Sequence, residues 1–156
     1  MPKEQRRGRR IAMGPDELDR FLREERTCRV ATVRADGTPH VVPLWFVWDG
    51  EALWLNSVVK SQRWTDLSRN PVVSVVVDAG TAYGELRGVE LNGSVEQVGS
   101  APRVAGGPAV AALAEPERLF AEKYAGSATF VPDGGHAWLR LVPDKLVSWD
   151  FRKLGS

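Results

Sequence analysis

The sequence predicts a mainly β protein with helices, in which six antiparallel strands curl into a small barrel. Three observations carry that expectation. Asp36-Gly37 and Asp49-Gly50 join three apolar runs within one short stretch, and Asp-Gly between strand-forming residues is among the strongest hairpin signals. The second of those runs sets Val42, Leu44, Phe46 and Trp48 against Val41, Pro43, Trp45 and Val47, so neither face is polar and both need cover. Gly88 and Gly93 interrupt a long later strand, where they suit a chain coiling sharply around a barrel.

Taken in order, "GPDELDRFLREER" reads as a short amphipathic helix. Gly14 is its cap, Pro15 its first residue, acids fill its first turn, and Leu18, Phe21 and Leu22 share a face. The three-stranded meander follows. Within it Pro43 cannot donate to a ladder and implies a bulge, an edge or a gap in pairing. Core packing accounts for Trp48 and Trp54 and less readily for Trp45.

"SVVKSQRWTDLSRNP" then predicts a helix from about Ser61 to Arg69, stopped by Pro71. "PVVSVVVDAG" supplies a fourth strand and "AYGELRGVELNGSVEQVG" a long fifth. "GSAPRVAGGP" is a loop, and "GGPAVAALAEPERLFAEKYAG" reads as two short helices broken at Pro116. "HAWLRLVPDKLVSWDF" ends the fold with a sixth strand, a Pro143-Asp144 turn and a closing extended segment.

Composition bounds the function. A chain of 156 residues suits one domain, and at that size roughly 70% of the unfolded surface is buried around a core. Residues 13–156 are expected to form it, with 1–12 a basic disordered tail. The tail run "PKEQRRGRR" lacks the apolar stretch of a secretory signal; a functional version of it would attract a polyanion. With 21 basic and 20 acidic residues, overall charge argues neither for nucleic acid nor for a membrane surface. No apolar run approaches a membrane span, and the lone Cys28 suits a reducing cytoplasm, where the protein is expected to reside.

The motif survey prunes further. Neither a dinucleotide-binding nor a P-loop glycine pattern occurs, nor a Gly-x-Ser-x-Gly elbow. His40 and His136 lack zinc-ligand spacing, so no metal is expected, and His40 reads as a solvent-facing strand residue. No catalytic acid or base can be assigned.

What remains is the start of the second helix. Lys60 and Arg63 sit where a helix dipole disfavours cations, unless an anion is to be bound there. With Ser61 as cap, the N–H groups of Gln62, Arg63 and Trp64 point out of the first turn beside its hydroxyl, forming a phosphate cradle. Trp64 and Leu67 would hold the helix on the sheet. The bland alternative leaves both cations in water.

The order of these elements, with "RVATVRADGTPHVVPLWF", "SRNP", "VVSVVVD" and "GVELNGSVEQV", resembles the pyridoxamine phosphate oxidase-like, FMN-binding split β-barrel superfamily from about Asp16 to Leu154. The ending "RLVPDKLVSWDFRKLG" is most similar to the actinobacterial flavin/deazaflavin-dependent oxidoreductases, group B, which use coenzyme F-420. The Arg-Leu-His-x-Arg substrate signature of true pyridoxamine phosphate oxidases is absent, which argues against vitamin B6 synthesis. The resemblance implies a homodimer with cofactor grooves between subunits, acting on a small organic substrate. It also implies that Lys60, Ser61, Gln62 and Arg63 hold the cofactor phosphate. The ring system would lie along Pro43, Leu44 and Trp45 and the strand end at Asn56 and Ser57, with Trp149 and Arg152 of the other subunit closing the groove. Members of the deazaflavin group often carry a denser Lys/Arg pattern than this helix, where Gln62 and Thr65 stand among the cations. Two alternatives follow: the same barrel with FMN as cofactor, or a non-enzymatic module holding nucleic acid, haem or a fatty acid.

Overall fold

Both Asp-Gly turns form as their side-chain chemistry requires. Gly37 and Gly50 adopt positive φ (87° and 102°), and Asp49 Oδ1 accepts from the backbone N–H groups of Glu51 and Ala52, both at 2.8 Å. A computed structural model describes residues 2–6, 8–127 and 129–155.

Helix α1 (Pro15–Glu24) starts at Gly14, whose N–H is taken by Glu17 Oε2 at 2.7 Å, and it buries Phe21 and Leu22. The meander is β1 (Thr27–Val33), β2 (Pro39–Trp48) and β3 (Leu53–Val58). Helix α2 (Gln62–Arg69) follows with Ser61 as its cap, and β4 (Val72–Ala79) returns along β1. β5 (Arg87–Val98) pairs with β4 on one edge. On its other edge it meets first β7 (Lys145–Asp150) and then, through residues 95–98, β6 (His136–Leu141).

The circuit β1-β2-β3-β6-β5-β4 therefore closes on itself as a six-stranded antiparallel barrel. The closing extended segment is a seventh strand, β7, which prolongs the β6 edge along β5. Phe46, Leu53, Leu55, Val75, Val89, Leu91 and Leu141 fill the interior, with Leu22 of α1 and Leu67 of α2 packed against them. Gly88 and Gly93 earn their places by close approach: a Cβ on Gly88 would sit 2.5 Å from the Trp149 ring, and one on Gly93 3.1 Å from Val142 O.

Two expectations need correction. Pro116 does not break the Ala-rich segment: a 3-10 turn (Ala111–Leu113), α3 (Ala114–Phe120) and a π-type turn (Ala121–Ala125) run on without interruption. Pro116 stands in the first turn of α3, where its missing N–H is least costly. The basic segment expected to be a disordered tail lies along β7 instead. Lys3 N–H donates to Asp144 O at 2.9 Å, and the Gln5 amide donates to Ser148 O and accepts from Ser148 N–H at 3.1 and 3.0 Å. The outer edge of β7 offers unpaired backbone groups, and this strap covers them. Met1 and Arg7 of that segment lie outside the described residues. Among the described residues no helix is long and apolar enough to cross a membrane.

Candidate functional site

The barrel splits where β2 and β3 part company. β2 pairs with β1 along its whole inner edge, from Pro39 to Trp45, but with β3 only at residues 46–48. Beyond that point β3 follows β6 as far as Val58, and Pro43 stands in the stretch of β2 that β3 leaves unpaired. A cleft of about 570 Å³ opens there. That volume suits a medium-sized organic ligand. A larger hollow of about 890 Å³ lies under the N-terminal strap, but it is lined mainly by charged surface residues, with none of the expected site residues among them.

One wall of the cleft is β2, with Pro43, Leu44 and Trp45; its floor includes Asn56 of β3, and α2 contributes Arg63. Arg63 is only 8% exposed. Its Nε–H donates to the hydroxyl of the buried Ser57 at 3.1 Å, and no carboxylate among the described residues pairs with it. Burial pushes the guanidinium pKa below its ordinary value, so the cation is held at a cost. Beside it Asn56 Oδ1 is buried with no hydrogen-bond partner. A buried cation and a buried orphan acceptor lining one cleft are groups waiting for a ligand.

The other residues of the expected cradle are disposed differently. Ser61 Oγ accepts from Trp64 N–H at 3.1 Å as the helix cap. Gln62 turns its amide to the buried Asp66 at 2.8 Å, where Thr32 also donates at 3.0 Å, and Lys60 is exposed. Of the four, Arg63 alone has its side chain in the cleft wall; the first-turn N–H groups of Gln62 and Arg63 have no intrahelical acceptor. Trp149 packs over Gly88 and Arg152 chelates Asp150, so within the chain both stand away from the cleft lining.

The facing wall was not anticipated from the sequence. Trp45, half exposed, stacks on Tyr124 at 4.3 Å and 10°, and Phe120 and Phe130 continue the aromatic surface. The Tyr124 hydroxyl is locked to the backbone, within 2.7 Å of Phe46 O, 2.6 Å of Arg26 O and 3.1 Å of Phe46 N. Arg103 also lines the cleft, but Glu117 neutralises it through two contacts of 2.9 Å, and Trp138 Nε1 donates to the same carboxylate at 3.1 Å. Asp133 and His136 complete the rim, with His136 Nδ1 2.6 Å from Asp133 Oδ2. The one sequence signal for this wall was the Asp133-Gly134 turn just ahead of β6. The resulting cavity has an apolar, aromatic flank and a cationic, hydrogen-bonding end, which suits a planar ring system carrying an anionic group.

The family model described as pyridoxamine 5'-phosphate oxidase matches residues 15–150. A conserved hypothetical protein from Mycobacterium tuberculosis is 33% identical over 99% of this chain and 94% of its own, with a TM-score of 0.79. A structure described as an F420 reductase is 27% identical, over 82% of this chain and 94% of its own, with a TM-score of 0.58. An FAD-binding protein from Mesorhizobium loti shares the fold at 19% identity and a TM-score of 0.63, covering 88% of this chain and 94% of its own. No curated protein matches.

Proposed function

Because the chain belongs to the pyridoxamine 5'-phosphate oxidase family, we propose that its cleft holds coenzyme F-420, an 8-hydroxy-5-deazaflavin, for two-electron hydride transfer to a small organic acceptor. The carrying observation is Arg63, a buried cation without a carboxylate, next to the orphan Asn56 Oδ1. The residues present fit the group. Arg63 and the first-turn N–H groups of α2 receive its phosphate, Asn56 reads a ring or chain donor, and Pro43, Leu44 and Trp45 carry the ring face. Bound in this way the cofactor supplies a carbon-centred hydride, while the protein positions the acceptor and excludes water. The 27% identity to an F420 reductase supports the deazaflavin over other family cofactors.

The cleft is completed by a second copy of the chain. Val41 and Trp45 are 64% and 50% exposed on the outer face of β2, an apolar strip beside the split that a partner would cover. Trp149 and Arg152 of that copy close the groove. The enzyme works in the cytoplasm.

Side-by-side titration of the purified protein with F-420 and FMN, read by tryptophan fluorescence, tests the reading. Trp45 in the cleft wall reports either ligand. Tighter binding of F-420 is expected; tighter binding of FMN moves the assignment to a flavin enzyme, and binding of neither ends it. Sedimentation of the same samples checks the dimer, which a monomer at all concentrations excludes.

A further inference from the structure

We propose that Lys123 is a covalent binding site for small neutral aldehydes, which occupy a second recess of the protein and are held as an imine on its amine. The recess has a volume of about 270 Å³ and is lined by Arg23, Val47, Trp48, Leu119, Glu122 and Lys123. It shares no lining residue with the cofactor cleft. Sites for drug-sized ligands run to roughly 300–1,000 Å³, so only a compact molecule fits here. The backbone is irregular where it carries the amine. Lys123 and Tyr124 both belong to the π-type turn, and although successive residues of a helix do not face one another, both donate to Phe46 O, at 3.3 and 2.7 Å. Turns of this kind are rare and concentrate at functional sites. The half-buried Nζ lies 4.0 Å from the Phe46 ring centroid, and no carboxylate among the described residues pairs with it.

These surroundings favour the neutral, nucleophilic form of the side chain. Burial is the main cause that brings its pKa down to about 8; Arg26 acts in the same sense, while Cys28 and Glu25 oppose it. The Tyr124 hydroxyl beside it is committed to backbone partners. The charged groups lining the recess are already paired, Arg23 with Asp19 and Glu122 with Arg118, both at 2.8 Å. No cation is left there to receive a carboxylate, while Val47, Trp48 and Leu119 offer apolar contact. A neutral aldehyde therefore fits better than an anionic one. The amine lone pair adds to the carbonyl carbon as the C=O electron pair passes to oxygen. That oxygen then leaves as water with both amine hydrogens, and a C=N bond remains. No oxidant is required, and hydrolysis reverses the step. The site does not depend on what the cofactor cleft holds.

The test incubates the purified protein with hexanal, or with the anionic aldehyde glyoxylate, in the presence of sodium cyanoborohydride. That reagent reduces an imine to a stable secondary amine, and peptide mass spectrometry then follows each lysine. Lys3, Lys60, Lys145 and Lys153 are the references. With a pKa of about 8, about a quarter of Lys123 is neutral at pH 7.5, against roughly one in a thousand for an ordinary lysine. Hexanal should therefore label Lys123 at least about tenfold faster than any reference, even allowing for the weaker base. Its rate should level off above about pH 8, whereas the references keep rising beyond about pH 10. Glyoxylate should show no such preference. Lys123→Arg, which keeps the charge, should remove the fast site and leave the references as they were. Labelling of Lys123 no faster than the references overturns the proposal; so do a rate still climbing beyond about pH 10, equal selectivity with glyoxylate, or a fast site that survives in Lys123→Arg. None of these outcomes touches the cofactor reading, which the fluorescence titration decides.

Discussion

Arg63 gives its Nε–H to the hydroxyl of Ser57 at 3.1 Å, a neutral partner, and among the described residues it meets no acid. Hydroxyls do not offset the burial of a cation as carboxylates do, so the pair is poised to accept an anion. Arg63→Ala should therefore weaken binding of F-420 by about 1.5–3 kcal/mol, the scale of a hydrogen bond to a charged group. The same variant should keep its thermal midpoint, since an uncompensated charge is removed along with the contact. An unchanged dissociation constant in a fluorescence titration would take Arg63 out of the site.

Tyr124 ties the π-type turn to β2 through a single hydroxyl. Tyr124→Phe keeps the ring that stacks on Trp45 and deletes only that oxygen. The Phe46 N–H and the Phe46 and Arg26 carbonyls then lose a partner, which costs about 1–3 kcal/mol. Urea unfolding should show a lower midpoint with an unchanged m-value. A midpoint equal to wild type would mean that water replaces the hydroxyl freely.

Those two residues also mark where the sequence is transparent and where it is not. Arg63 was legible because Ser61 caps α2 and Pro71 follows its end, local signals that place a cation on the first turn without tertiary knowledge. The meander was legible for the same reason, through Asp36-Gly37 and Asp49-Gly50. Tyr124, Arg103 and His136 were not. Arg103 and His136 reach the cleft, and Tyr124 stacks behind its Trp45, through non-local packing, such as β3 leaving β2 to pair with β6, that leaves no periodicity in the sequence. Gln62 shows the converse. Its place on the helix was right, but the buried Asp66 one turn on captures its side chain, and propensity carries no information about such competition.

Gly88 faces Trp149 across the β5–β7 ladder, where an added methyl would lie 2.5 Å from the indole and 2.9 Å from Val77 O. The backbone carbonyl cannot yield, so Gly88→Ala must displace Trp149 or part the strands. Overpacking of this kind costs about 1–3 kcal/mol. Calorimetry should show a lowered thermal midpoint, and the tryptophan emission should change as the indole moves. If Trp149 closes a partner's groove, the variant also loses cofactor affinity. A Gly88→Ala protein as stable as wild type would show that β7 lifts away at little cost.

Lys123 supplies a pH prediction whose sign follows from its surroundings. Its Nζ lies 4.0 Å from the Phe46 ring centroid and donates to Phe46 O at 3.3 Å, with no carboxylate pairing to it among the described residues. Burial pushes its pKa from 10.5 down to about 8. The folded state then binds fewer protons than the unfolded state between those two values, so this group makes stability rise with pH across that window. Below it, both states are protonated and the penalty is constant. Cys28 acts in the opposite sense: burial pushes its thiol from 9.0 up to about 12, so its contribution is complete below the first value and is lost as pH climbs towards the second. The raw stability profile mixes the two. Because the thiol and the ammonium influence each other, the comparison is made in a Cys28→Ala background, where the difference made by Lys123→Met isolates the lysine. Lys123→Met should be the more stable protein at pH 7, and its advantage should shrink steadily from about pH 8 to 10.5. Denaturant titrations at several pH values measure that gap; one that stays constant across the window would mean that the ammonium is solvated and that Phe46 does not bury it.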